Sequence, residues 1–358
     1  MAIKYLSGNR ATGTASDRTG MTTYSAKSWI ELDRVTLTGT STTMDTNTFT
    51  AEDNLMLLYF GIPAGSYIQA KLQVGNSTID TGSNYARRHS RDGDSDSIAT
   101  GGTDMGTFGD GTASANEFGV SDFVNISSQE KLDMTSSMNS NSSGAGNAPH
   151  RAEVVGKWAN TSNQINRIQL TDLSGSGFAS GSEIVVLGSK SSGTDTSKAS
   201  FWQELADVEL SSAASSIDSG TFTAKKYLWI EFSGVGSNGS SYPRLRFNSD
   251  SGNNFAYRQS MDGGSDNTQT SQNHMNTTGN VGAFNHYFNS FVVNKSNKEK
   301  LVITQGVDSN TAGAGNAPRR REVVGKWANT SDSITSVQVL DLGSYNFSSA
   351  TLKVWGSD

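Results

Sequence analysis

The sequence predicts an all-β protein: two tandem β-sandwich domains of one jelly-roll-like fold behind a short N-terminal arm. Three observations carry that prediction. Apolar residues recur at every second position in short runs, as in Leu228, Ile230 and Phe232 or Leu245 and Phe247, the period of a half-buried strand rather than a helix. Clusters of Gly, Asn, Ser and Asp, the residues that make turns, separate the runs. The second half of the chain also repeats the first.

The repeat sets the domain plan. Residues 144–162, GAGNAPHRAEVVGKWANTS, recur as residues 313–331 with 17 of 19 positions identical, an offset of 169. Nearer the start, Trp29, Glu31, Leu32, Val35 and Leu37 recur as Trp202, Glu204, Leu205, Val208 and Leu210 at an offset of 173. In between, Tyr85, Ala86 and Arg88 match Phe255, Ala256 and Arg258 at 170. So small a drift places the differences in loops. A period near 170 is far too long for a solenoid unit, so each repeat is a whole domain. The arm takes residues 1–28, the first sandwich 29–190, a flexible polar linker 191–200 and the second sandwich 201–358. About eight strands per copy suit two packed antiparallel sheets with Greek-key connections. The run from Val154 to Trp158 and its twin from Val323 to Trp327 read as central strands. Their glycines mark a bulge or a close backbone approach, and Trp158 and Trp327 belong in equivalent buried positions.

Composition narrows the function. The 358 residues carry 28 Lys+Arg against 34 Asp+Glu, a net charge of −6. Only 17% are charged and 34% hydrophobic, but fifteen Phe, ten Tyr and six Trp suffice to seed packed cores. With no cysteine there is no disulfide, thiolate nucleophile or cysteine-held metal. The opening MAIKYLSGNR lacks the apolar stretch of a secretory signal. The longest apolar run, Leu55 to Phe60, has the length of a strand and not of a membrane span. An acidic chain without a basic stripe is a poor nucleic-acid binder.

Four motifs are candidates for chemistry. Asp92, Asp94 and Asp96 alternate with small residues, the way oxygen ligands converge on calcium. The twin loop keeps Asp262 and Asp266 but has Gly264 in the middle, and the expected reading is a solvated hairpin tip. GAGNAP lacks the Walker and dinucleotide fingerprints and reads as a rigid turn. Arg87, Arg88 and Arg91, and likewise Arg319, Arg320 and Arg321, suit an anionic glycan, a subunit contact or local pairing with acids. Trp229 stands where the first copy has Met56, which makes it the candidate for an exposed sugar-stacking ring.

Catalytic machinery is hard to find. His89, His150, His274 and His286 show no metal-ligand spacing, and no Gly-x-Ser-x-Gly elbow occurs. The recurring acids Glu153 and Glu322, or Asp172 and Asp341, are explained by the shared fold. No enzyme activity and no cofactor are expected.

The segments KWANTS, Pro243-RLRFNSDSG and GSEIVVLG resemble a module repeated in predicted virion proteins of marine tailed phages. The leader MAIKYLSGNRATGT is similar to the short segment that heads such chains. The first copy departs from the second of these motifs, reading Lys71-LQVGN. The resemblance implies a non-enzymatic virion structural protein, made in the host cytoplasm and placed on the particle exterior as capsid decoration or fibre. Its partners would be other capsid or tail proteins and further copies of itself, a trimer being favoured, with a host glycan as candidate ligand and no membrane insertion. The alternative is a carbohydrate-binding adhesin or receptor-binding module, and third a polysaccharide depolymerase.

Overall fold

The computed structural model describes residues 29–109, 115–189, 200–237, 241–279, 284–342 and 345–358, together with the backbone of two short strands before them. Those two, β1 (Leu6–Ser7) and β2 (Arg10–Ala11), pair with each other. The rest of the expected arm, and the expected linker except Ser200, lie outside the described residues.

The first copy contributes β3 (Ile30–Thr36), β4 (Thr43–Asp45), β5 (Asn54–Gly61), β6 (Ala70–Asn76), β7 (Thr78–Ile79), β8 (Tyr85–Arg91) and β9 (Ser97–Gly102). It continues with β10 (Gly106–Phe108), β11 (Glu117–Val124), β12 (Lys131–Asn139), β13 (His150–Trp158), β14 (Arg167–Asp172) and β15 (Glu183–Ser189). The second copy has β16 (Gln203–Glu209), β17 (Ser216–Asp218), β18 (Tyr227–Gly236), β19 (Pro243–Phe247), β20 (Phe255–Met261) and β21 (Asn267–Gln272). It ends with β22 (Met275–Asn276), β23 (Asn285–Val293), β24 (Lys300–Asp308), β25 (Arg319–Trp327), β26 (Val337–Asp341) and β27 (Phe347–Ser357).

Each copy is a jelly-roll-like sandwich of one large and one small antiparallel sheet. The large sheets run β3-β15-β5-β11-β12-β13-β8-β9 and β16-β27-β18-β23-β24-β25-β20-β21, the same order twice. The small sheets are β10-β6-β14-β4, with β7 on β6, and β17-β26-β19-β22. The copies thus hold more strands than the eight expected. The extra ones are short or polar, such as β9 and β21, where Ser, Thr, Asn and Gln leave no apolar alternation to read.

Among the described residues three apolar cores hold the layers. One fills the first sandwich, with Leu55, Leu57 and Trp158 facing Leu72, Val74 and Ile168. A second fills the second sandwich, with Leu228, Ile230 and Trp327 facing Leu245, Phe247 and Val337. A third lies between the two large sheets, where Met56, Leu58, Phe60 and Phe118 meet Tyr227, Val293, Leu301 and Ile303. The molecule is therefore a stack of four sheets, small, large, large and small.

The third core explains the run from Leu55 to Phe60. Every residue of β5 after Asn54 is buried because both faces of the strand are covered, the pattern of a central strand without alternation. Its counterpart β18 alternates, with Glu231 and Ser233 standing where the first copy has Leu58 and Phe60.

The twin tryptophans are buried at equivalent register positions, opposite Lys131 and Lys300. Each indole N–H donates to an aspartate, Trp158 to Asp80 and Trp327 to Asp250, both at 2.7 Å. The same aspartate accepts from Gly82 and Asn84 in one copy and from Gly252 and Asn254 in the other. Burial pushes these two carboxyls up, but the indole and loop hydrogen bonds outweigh it and hold both below their usual range. The offset falls from 173 at Leu72 and Leu245 to 170 at Asp80 and Asp250, because the first copy inserts the β6–β7 hairpin there. Gly156 marks a close approach and not a bulge. A Cβ there would meet the Met105 carbonyl oxygen at 2.3 Å, while the β12–β13 register is unbroken.

Replacing Trp327 with Ala is expected to cost about 3–5 kcal/mol by removing a buried aromatic. Asp250→Ala, which leaves the indole N–H unpaired, should cost roughly 1–3 kcal/mol. Chemical denaturation of the two variants checks both values.

Candidate functional site

The densest convergence of polar groups is the junction between the copies. The loop from Ser140 to Pro149, which contains GAGNAP, is gripped by the second copy along its length. Lys326 donates to the carbonyls of Ser140 and Ser142 at 2.8 and 2.6 Å. The Gly144 N–H donates to Glu299 at 2.6 Å, the Ser271 N–H donates to the Ala145 carbonyl at 2.7 Å, and Arg258 donates to the Pro149 carbonyl at 2.8 Å. The loop's shape is built in. Gly144 and Gly313 both have φ +86°, and Asn141 and Asn310 brace the loop through the carbonyls of Ala148 and Ala317. A left-handed glycine and a bracing asparagine at the same places give both copies one loop conformation.

Beside the loop lies a buried charge cluster. Arg151 makes a two-pronged bond to Asp266 across the junction, at 2.7 and 3.3 Å, and pairs with Glu153 at 2.6 Å. Burial alone would lower the Arg151 guanidinium, but these acids raise it above its ordinary value. Asp92 accepts from the Arg151 N–H at 2.8 Å, bonds His150 Nδ1 at 2.5 Å and pairs with Arg258 at 3.1 Å. Burial pushes the Asp92 carboxyl up, but the bonds from His150 and Arg151 outweigh it and hold it down.

This geometry disperses the aspartate triplet. Asp92 and Gly93, with φ +49° and +80°, form a tight turn at the start of the β8–β9 loop, closed by the Asp94 N–H on the Arg91 carbonyl at 2.7 Å. Asp92 turns into the junction, Asp94 is exposed and Asp96 pairs with Arg88 at 3.1 Å. Among the described residues no three His, Asp or Glu side chains gather as a metal would require. Arg87 pairs with Asp104 and Arg91 donates to Thr107.

The other nominated residues separate as well. Arg319 opens β25 opposite Asp308. Arg320 is exposed and pairs with Glu322 at 2.5 Å. Arg321 points inward and donates to Gln259 at 3.1 Å. Trp229 is half-buried rather than exposed, a correction to the sequence reading. Its ring stacks on Phe291 at 5.7 Å and tilts against Trp355 at 5.0 Å, and its N–H donates to Asn289 at 2.5 Å. The outward face of β18 lies beside the third core, so the ring has aromatic neighbours that the strand alone does not reveal.

Two features escaped the sequence reading. One is an apolar face on the first large sheet, where Ile98, Leu132, Met134 and Val155 are all exposed. The alternation Leu132-Asp133-Met134-Thr135 was the available signal, since it puts the apolar side chains on the face away from the sandwich. The other is Asp133 itself. It is buried on the inner face, bonded to Thr135 and set where the second copy has Val302. Burial pushes its carboxyl up to about 7, and burial raises Asp122 on the outer face to about 6.

No family model and no curated protein matches the chain. Among solved structures it is similar to domains LG4-5 of the mouse laminin alpha1 chain, at 9% identity and a TM-score of 0.20 over 92% of this chain and 91% of that one. It is also similar to the LG1-3 region of the laminin alpha2 chain, at 9% identity and a TM-score of 0.22 over 88% and 64%. At such scores neither carries an argument about function.

Two expectations follow from the junction and the buried acid. Arg151→Ala strands buried acids and should cost about 3–5 kcal/mol. The same change at its exposed twin Arg320 should cost under about 1 kcal/mol. Thermal melts of the two variants compare them directly. Asp133 binds its proton more tightly in the folded state, so its stabilising effect is complete below the unfolded pKa near 4. It is lost as pH rises through about 7, at up to about 1.4 kcal/mol per unit. Asp133→Val should remove most of the decline in melting temperature between pH 5 and 8, and an unchanged decline would place its origin elsewhere.

Proposed function

We propose that this protein is a non-enzymatic structural component of a phage particle, carried on the exterior as a capsid decoration protein or fibre element. One observation carries the assembly part of the reading: the contiguous apolar face of Ile98, Leu132, Met134 and Val155. A soluble domain that displays such a face is built to have it covered by a partner. The phage assignment rests on the likeness of KWANTS, RLRFNSDSG and the leader to phage virion modules.

The non-enzymatic part is supported by where the perturbed groups lie. Asp133 sits inside the first sandwich. Glu183, buried between the copies, bonds Thr36, Arg34, Lys226 and Tyr227. Both positions suit structural ties better than chemistry on a substrate.

A second reading, a glycan-binding adhesin or receptor-binding module, is favoured by the half-buried row of Trp229, Phe291 and Trp355. Mass spectrometry of purified particles and gold labelling with an antibody should find the protein on the particle surface. Its absence from particles, together with glycan binding lost in Trp229→Ala, would replace the first reading with the second.

A further inference from the structure

The two copies do not meet through the same surface. The first offers its β12–β13 loop with Met56, Leu58, Phe60 and Phe118, and the second offers Leu301, Ile303 and Val324 with the polar groups that grip the loop. The loop, the grip and the Leu301, Ile303 and Val324 face each have a twin that stays unused. The acceptor face of the second copy is built from Leu301, Ile303 and Val324, which are 0, 5 and 2% exposed. Their register twins in the first copy are Leu132, Met134 and Val155, which are 52, 66 and 49% exposed.

The polar grip is duplicated too. Glu299, Lys326, Arg258 and Asp266 hold the first copy's loop and Arg151. The first copy has the identical residues Glu130, Lys157, Arg88 and Asp96 at the matching positions. There they only pair with one another at the surface, Lys157 with Glu130 and Arg88 with Asp96. The docking loop has its own idle twin. Residues 311–318 have the same sequence motif and brace as the gripped loop, and all are exposed, as is Arg320, the twin of Arg151.

We infer that the loop Thr311–Pro318 of one molecule docks on the Leu132, Met134 and Val155 face of a second copy, repeating between molecules the junction found within one. The inference deepens the proposed assembly role and rests on it. A contact between two different faces is heterologous, so it propagates head to tail and ends in a ring or a fibre. The match also gives the stretch from GAGNAP to VVGKW a reason to be nearly identical in both copies: it contains the docking loop and part of the acceptor strand. The contact between molecules is the more polar of the two. Glu231 and Ser233 replace Leu58 and Phe60 on the docking side, and Asp122 replaces Phe291 on the accepting side. Tyr287 and Val307, exposed where the first copy has Phe118 and Met138, keep an apolar centre. Weak, reversible association that rises with concentration is expected of such an interface.

The test uses the full chain in sedimentation velocity. The wild type should form oligomers as concentration rises. Leu132→Asp with Val155→Asp spoils only the free acceptor, and Ala314→Trp with Arg320→Glu spoils only the free loop. Each double variant should remain monomeric with a wild-type melting temperature, since all four residues are exposed. Mixed together they should form dimers that grow no further, because one intact loop meets one intact acceptor.

A second measurement fixes the geometry. The Ser271 N–H bonds the Ala145 carbonyl, so Cα atoms at the twin positions Gly101 and Ala314 would come within disulfide reach. The chain has no cysteine of its own. Oxidised Gly101→Cys/Ala314→Cys protein should therefore run as a ladder of multimers. A wild type that stays monomeric at high concentration, variants that assemble as the wild type does, or a mixture that yields no dimer would each overturn the inference. Particle proteomics is a separate readout. A pure chain that assembles but is missing from particles would retain this contact and discard the phage role.

Discussion

The arrangement depends on one constraint, that strand Asn54–Gly61 is apolar on both faces. A sandwich needs only one apolar face per strand, and the opposite face of an outer sheet is normally polar. Here Met56, Leu58 and Phe60 point away from the first sandwich and must be covered. The second copy covers them, so that two sandwiches become four packed layers. The polar ties at the junction are secondary to this burial. Arg151 with Asp266 and Lys326 with the Ser140 and Ser142 carbonyls mainly fix the register of a contact whose driving force is apolar.

Within each sandwich the strongest shared device is the tryptophan held by an aspartate. One carboxylate organises its own turn through Gly82 or Gly252, then reaches across to the indole on the central strand. It ties a surface loop to the core, so packing fixes a loop that its own Asp, Gly and Asn already shape. The arrangement survives the three-residue difference at the β6–β7 hairpin, because the insertion lies before the aspartate. The buried amides Asn125 and Asn294 repeat this logic, each bonding the backbone of Ile165 or Ile334.

The exchanges that bear on the junction lie on outward faces: Phe291 stands where the first copy has Asp122, and Glu231 and Ser233 stand where it has Leu58 and Phe60. These exchanges make the copies unequal as partners: one is the better docking surface and the other the better acceptor. Inequality of that kind gives a junction direction, which a pair of identical faces would lack.

The sequence by itself determined the β class, the two-copy plan, the strand character of the Val-Val-Gly-Lys-Trp segments and the burial of Trp158 and Trp327. These follow from a period of two and from an offset that can be counted. It also carried the apolar run in β5, whose missing alternation signals cover on both faces. Only the tertiary structure decided what provides that cover, because periodicity names the face of a strand but not its neighbour. For the same reason the sequence placed Trp229 on an outward face without seeing Phe291 and Trp355 beside it. It read Asp92, Asp94 and Asp96 as neighbours in one loop, whereas the positive-φ turn at Asp92 and Gly93 points Asp92 into the junction and leaves Asp94 and Asp96 at the surface. Two copies of one GAGNAP loop are nearly indistinguishable as sequence. The fold partly covers one and leaves the other exposed, because only the first has a second copy packed against it.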